Sequence, residues 1–236
     1  DKTKLREDCG ALLKWDKDLL HKMILSRINH HASTHGIQTI HDLNEIFDRK
    51  ELRSRATPLN YIIRSSFMRP RDIICFMKNI IDLMKEEKNN LESEDTESEN
   101  FEYISTSSQL IADMIYNAEP AYSEWLKNEL KDEWQTQKPE LLNFLNIITN
   151  LGKTVISMDE FRLKYSETLG EIDQAALLSI MNFLFDNSII GFKIGESTIW
   201  RFKCTYPAQG FTVTQSYRVH FGLTKSLNLT ETYLQD

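Results

Sequence analysis

The segment Phe67-Met68-Arg69-Pro70-Arg71-Asp72 sets two guanidinium groups on either side of a proline, directly ahead of Ile73-Ile74-Cys75-Phe76-Met77. Proline suits the first turn of a helix, where its fixed φ is already helical and its missing N–H has no partner to lose. Cations held beside the free N–H groups of a helix N-terminus suit an oxyanion such as a nucleotide phosphate. The same residues also make an ordinary helix start, with Asp72 favourable to the dipole.

Other groups carry less chemistry. Leu151-Gly152-Lys153-Thr154 imitates the end of a phosphate-binding loop, but the first glycine of that motif would fall on Ile147, inside an expected helix. Gly152 reads instead as a helix terminator, with Lys153 near the negative end. His30, His31, His35 and His41 cluster in sequence, yet no carboxylate-rich ligand set accompanies them, and a polar turn over His30–Gly36 is the expectation rather than a metal site. Arg49, Lys50, Arg53, Arg55 and Arg64 form a basic run interleaved with Asp48 and Glu51. That run reads as a solvated helix face, or as a rim beside bound phosphates or an adjoining subunit. No nucleophile–base set emerges, so no catalysis is expected from this chain alone.

Helical periodicity and end signals place these groups. Asp16 to Ile28 reads as a helix through Leu19, Leu20, Met23, Ile24 and Ile28. A short helix is expected from Asp42, and Thr57-Pro58 opens another as cap and first residue. The helix after Pro70 lines up Ile73, Phe76, Met77, Ile80 and Met84, broadened by Ile74 and Ile81. Ser107 reads as a cap for Leu110 to Ile115, and Pro120 as the end or kink of that element. Tyr122 to Trp134 and Pro139 to about 150 follow as helices. Helices at about 158–165 and 173–187 come next. Then Ile189–Ile194 and Thr198–Tyr206 read as two strands around a Gly195-Glu196-Ser197 turn. Three helices and a hairpin is the order of a winged-helix domain. The expected fold is mainly α: a helical lid-type bundle, then a helical and winged-helix region with a small C-terminal β-hairpin or sheet.

Charge divides the chain. Residues 1–90 carry 17 Lys+Arg against 13 Asp+Glu, and the rest carry 11 against 22. Residues 86–99 hold seven acids and one apolar side chain, too little to offset ordering entropy. An acidic linker over 89–104 therefore divides a region 1–88 from a region 105–236. No apolar run approaches the roughly 18–20 residues that span a bilayer, and the start is neither a signal peptide nor a methionine, as expected of a processed or excised fragment. Cys9, Cys75 and Cys204 stand far apart, which fits a reducing cytoplasm; Cys75 and Cys204 read as small buried hydrophobes.

The winged-helix order raises a nucleic-acid hypothesis. Residues 165–192 contain no Lys or Arg, although phosphate contacts supply much of the affinity for DNA. Lys193, Arg201 and Lys203 on the wing offer only weak compensation. A protein–protein or intramolecular docking role is preferred, with a nucleic-acid-binding adaptor as the alternative.

Taken in order, these pieces resemble the C-terminal portion of a bacterial family of P-loop ATPases of the AAA/STAND-like type, with relatives in antiphage defence. Carrying the resemblance are Trp15-Asp16-Lys17-Asp18-Leu19-Leu20 running into Arg27-Ile28, Arg69-Pro70-Arg71-Asp72-Ile73-Ile74, and Ala118-Glu119-Pro120-Ala121-Tyr122-Ser123 leading to Glu129. Near the end come Ile190-Gly191-Phe192, Trp200-Arg201-Phe202 and Val219-His220-Phe221-Gly222-Leu223. The resemblance implies a helical lid whose Arg71, assisted by Arg69, senses the nucleotide's terminal phosphates. Met68 stands where those relatives have Gly. It further implies ATP and Mg in an intact protein whose P-loop domain is not in this chain, an oligomer or protein partner, and a cytoplasmic setting without a membrane.

Overall fold

The computed structural model describes residues 15–52, 55–93 and 110–230. Within them, α1 runs Lys17–Thr34, α2 Pro58–Ser65, α3 Pro70–Ser93, α4 Met114–Trp134, α5 Leu141–Leu151, α6 Met158–Leu169 and α7 Gln174–Asp186. The strands are β1 (Val155–Ile156), β2 (Ile190–Phe192) and β3 (Tyr217–Val219), with 3-10 turns at Leu43–Ile46 and Phe221–Leu223. The fold is mainly helical, with one small sheet near the C-terminus. Cys9, Arg53, Ser107 and the part of the expected linker from Glu94 to Ile104 lie outside the described residues.

Helix starts follow local chemistry. The Asp16 carboxylate accepts the Leu19 N–H at 2.8 Å, the Thr57 hydroxyl that of Asn60 at 3.3 Å, and the Asp173 carboxylate that of Ala176 at 2.7 Å. Ser157 and Glu160 close a reciprocal capping box on α6. Gly152 ends α5 in the left-handed region (φ 68°), its N–H reaching the carbonyls of Ile148 and Thr149. Lys153 beyond it pairs with Glu160.

Three stretches differ from the sequence reading. α1 continues through the expected turn at residues 30–34, and Gly36 (φ 68°) follows its end. α3 extends to Ser93, so residues 89–93 are helical. α4 is one helix through Pro120 rather than two elements. An interior proline removes one hydrogen bond, but Ala118, Tyr122, Leu126 and Leu130 form a single buried stripe that only a continuous helix presents.

The sheet is antiparallel in the order β1-β3-β2. Helix α5, β1, α6, α7, β2 and β3 follow one another in winged-helix order, but the partner of β2 is 217–219, not 198–206. The latter touches β2 at one bridge, where Phe192 and Arg201 exchange N–H···O bonds of 3.1 and 2.8 Å. It then turns away, with the Thr205 and Tyr206 N–H groups donating to the Phe202 carbonyl. Gly191 permits this crossing: a Cβ there would lie 2.7 Å from both the Arg201 carbonyl oxygen and the Phe202 ring.

One hydrophobic core joins both halves of the chain. α3 lies along α4, with Phe76 stacked on Tyr122 at 4.3 Å and 13°. Residues 110–113 are pinned beside 46–49: the Leu110 N–H donates to the Ile46 carbonyl, the Ala112 N–H to Asp48, and Arg49 pairs with Asp113. At the C-terminal side the 221–223 turn meets the end of α2, where the Tyr122 hydroxyl also donates to the Ser65 carbonyl at 3.1 Å. A Cβ on Gly222 would fall 2.0 Å from that carbonyl oxygen. Gly222→Ala is therefore expected to destabilise the protein by about 3 kcal/mol. Gly152→Ala, with open space around it and only the left-handed backbone against it, should cost about 1 kcal/mol. Urea unfolding of the two variants checks the contrast.

Candidate functional site

The arginine pair sits where the chain passes from α2 to α3. Ser66 caps α2, its hydroxyl donating to the Ile63 carbonyl at 2.7 Å and accepting the Met68 N–H at 3.2 Å. Met68 takes the left-handed conformation (φ 57°), one that costs a bulky L-residue and that glycine adopts freely. Arg69 and Pro70 then lead into the first turn of α3.

Asp72 closes this junction. Its side chain is 0% exposed; Oδ2 accepts the Phe67 N–H at 2.9 Å, and both oxygens accept from Arg69 Nε at 3.0 and 3.1 Å. Burial pushes the carboxyl above its ordinary range, against the opposing pull of Arg69 and the Phe67 N–H. The helix mouth is thus occupied by the chain's own carboxylate rather than left open beside two free cations.

The two arginines are placed differently. Arg69, 26% exposed, is committed to Asp72, with Nη1 3.4 Å from Glu133 and its guanidinium 5.3 Å from the Phe67 ring centroid. Arg71 is 53% exposed, with Nη1 2.7 Å from Glu129 and Nε 3.9 Å from Asp72. Glu129 and Glu133, four residues apart on α4, hold the start of α3 as a pair. Glu133 was missed by sequence reasoning, and Glu129 entered it only through the resemblance. Their i,i+4 spacing was the available signal, but nothing local pointed them toward Arg69 and Arg71.

Phe67 carries the junction to the C-terminal part. The His220 ring lies between Phe67 and Phe202, with centroids 4.7 and 4.8 Å away, and its Nδ1 accepts the Gly222 N–H at 3.2 Å. Burial, helped by the charges of Arg218 and Arg69, pushes the imidazole down to about 3. Cys204 Sγ is 3.9 Å from His220 Nε2, and burial pushes its thiol up to about 11. Thiol and imidazole are therefore both neutral near pH 7, the opposite of an activated nucleophile pair. Cys75 and Cys204 are half-buried rather than sealed in the core.

The cations of the nucleic-acid alternative are engaged with near neighbours. Lys193 Nζ stands 4.7 Å over the Trp200 ring. The Arg201 guanidinium lies 5.3 Å from the Tyr206 ring centroid and Nη1 is 3.4 Å from Gln209 Oε1. Lys203 donates to the Gln209 carbonyl at 2.8 Å and sits 3.9 Å from Asp186. In the basic run, Arg49 pairs with Asp113, while Arg64 stacks 4.3 Å over Tyr61 and 5.1 Å from Phe221. His31 in the last turn of α1 and His35 just past its end are neighbours, with ring centroids 4.1 Å apart, but His35 Nδ1 lies 2.9 Å from the His31 carbonyl and 3.0 Å from the Thr34 hydroxyl.

Residues 18–107 match the family model of the FunZ-associated C-terminal helical domain. That match takes in α1 to α3 and the whole Arg69–Asp72 junction; the winged-helix part lies beyond it. No curated protein and no solved structure matches the chain. No helix among the described residues is long and apolar enough to cross a membrane.

Two outcomes check the junction. Asp72→Ala strands the Phe67 N–H and the Arg69 guanidinium, and should lower stability by about 3 kcal/mol in denaturant unfolding. A depressed His220 means its contribution is whole above the ordinary imidazole value of 6.5 and is lost as pH falls from there toward about 3. Urea midpoints should fall across that window in the parent protein. They should fall less in His220→Asn, which keeps an acceptor for Gly222 but does not titrate.

Proposed function

We propose that this chain is the C-terminal regulatory region of a larger P-loop ATPase, in which Arg71 reads the terminal phosphates of a nucleotide held by the ATPase domain. The observation that carries the reading is the contrast within one motif. Arg69 is tied to a buried carboxylate, whereas Arg71 keeps half its side chain open and faces a single close competitor, Glu129. A guanidinium matches a phosphoryl group as it matches a carboxylate, through paired N–H donors. Exchange of Glu129 for phosphate would loosen the start of α3 from α4. Because α4 also meets the 221–223 turn through Leu126, and reaches Ser65 beside that turn through the Tyr122 hydroxyl, that change would reach the winged-helix part.

The family match, to a C-terminal helical domain, is consistent with a C-terminal region of a larger protein. ATP and Mg would be held by the P-loop domain; this chain's contribution is the Arg71 guanidinium, whose donors fit an anionic oxygen. The attacking water and the metal are positioned by neither arginine, so hydrolysis belongs to the intact protein. Free thiols at Cys75 and Cys204 fit a cytoplasmic setting, and the resemblance points to antiphage defence. The winged helix serves protein–protein or intramolecular contact in this reading. A nucleic-acid role is less supported, because Lys193, Arg201 and Lys203 are engaged and α7 carries no cation.

In the intact ATPase, Arg71→Ala is expected to slow hydrolysis about 10²-fold or to abolish ATP-dependent protection from proteolysis. Glu129→Gln, which frees the guanidinium, should tighten ATP binding several-fold. Unchanged turnover and an unchanged proteolytic pattern in Arg71→Ala would remove the assignment.

A further inference from the structure

α1 and α3 leave between them an apolar groove of about 650 Å³ that the phosphate-sensing reading does not use. Its floor is Ile24 and Ile28 of α1 with Ile74, Met77 and Ile81 of α3. Ile74 and Ile81 broaden the apolar stripe of α3 in sequence, yet both are exposed instead of joining the core. The rim carries Arg27, Lys78 and Lys85, against one carboxylate, Asp82. None of those three cations forms an ion pair among the described residues.

We infer that this groove seats an acidic amphipathic helix of a partner protein. The spacing dictates the shape of the occupant. Ile74 and Ile81 are seven residues apart, as are Lys78 and Lys85, so α3 offers an apolar row and a cationic row, each repeating every two turns. A third helix laid against α1 and α3 would bury residues repeating at three and four positions and would align its acids with Lys78, Lys85 and Arg27. A second copy docking through this same face would set those cations against each other. Nucleic acid offers nothing to the isoleucine floor. Charge complementarity therefore selects an acidic helix.

The test uses the full chain and two labelled synthetic peptides of three heptads, with Leu at the apolar positions and either Glu or Lys flanking them, read by fluorescence anisotropy. The Glu peptide should bind saturably and the Lys peptide at least about tenfold more weakly. Lys78→Glu combined with Lys85→Glu, both at exposed positions, should reverse that preference. Ile81→Asp should abolish binding of either peptide. Equal binding of the two peptides, or a preference that survives the double reversal, would mean apolar adhesion alone and would overturn the inference. So would absence of saturable binding to the parent chain, as expected of a groove filled from within the chain. Self-association that Ile81→Asp removes would assign the face to contacts between copies and overturn it as well.

Discussion

A carboxylate wholly removed from solvent holds the junction on which the rest of this structure turns. Asp72 accepts the backbone N–H of Phe67 and grips Arg69 with both oxygens, so the chain is forced through the left-handed Met68 at a fixed angle. Desolvation works against the ionised carboxyl, while the guanidinium and the amide work for it. Such an arrangement holds only when every partner is present, because a buried charge stripped of one partner keeps its desolvation penalty. Asp72 therefore fixes the exit of α2, the start of α3 and the directions of both arginines together.

From that junction the contacts run outward in two directions. Arg69 and Arg71 meet Glu133 and Glu129, tying α3 to the later turns of α4. Phe67 meets His220, and Ser65 receives both Tyr122 and the close approach of Gly222. α4 thus touches the arginine segment on one side and the C-terminal turn on the other. A change in what Arg71 holds has a short mechanical route to the sheet, through groups already in contact.

Much of the helical part was legible in the sequence, because helix starts are written locally. Asp16, Thr57, Asp173 and the Ser157/Glu160 box each act on a residue three positions away, and Gly152 at the end of α5 on residues three and four positions back. The winged-helix order of helices was legible for the same reason. Pro120 misled because its local preference yields to a buried stripe assembled from other helices. The strand at 198–206 misled because alternation is shared by many segments, while pairing is settled by what reaches the edge of β2. There β3 supplied the longer ladder, and the bare backbone of Gly191 let the competing segment cross and leave.

The candidate site divides in the same way. Residue types alone marked Arg69-Pro70-Arg71-Asp72 as a helix start bearing fixed charge, since proline geometry and dipole preference need no distant partner. They could not say which arginine is spoken for, because that depends on the burial of Asp72 against Arg69 and on acids about 60 positions later in the chain. By itself the sequence determined where helices begin and end and which side chains carry charge, through interactions spanning one helical turn. Only the tertiary structure decided that Arg69 is structural, that Arg71 stays half open, and that two isoleucines of α3 face a groove instead of the core. Those outcomes rest on burial, and burial is a property of the whole packed chain.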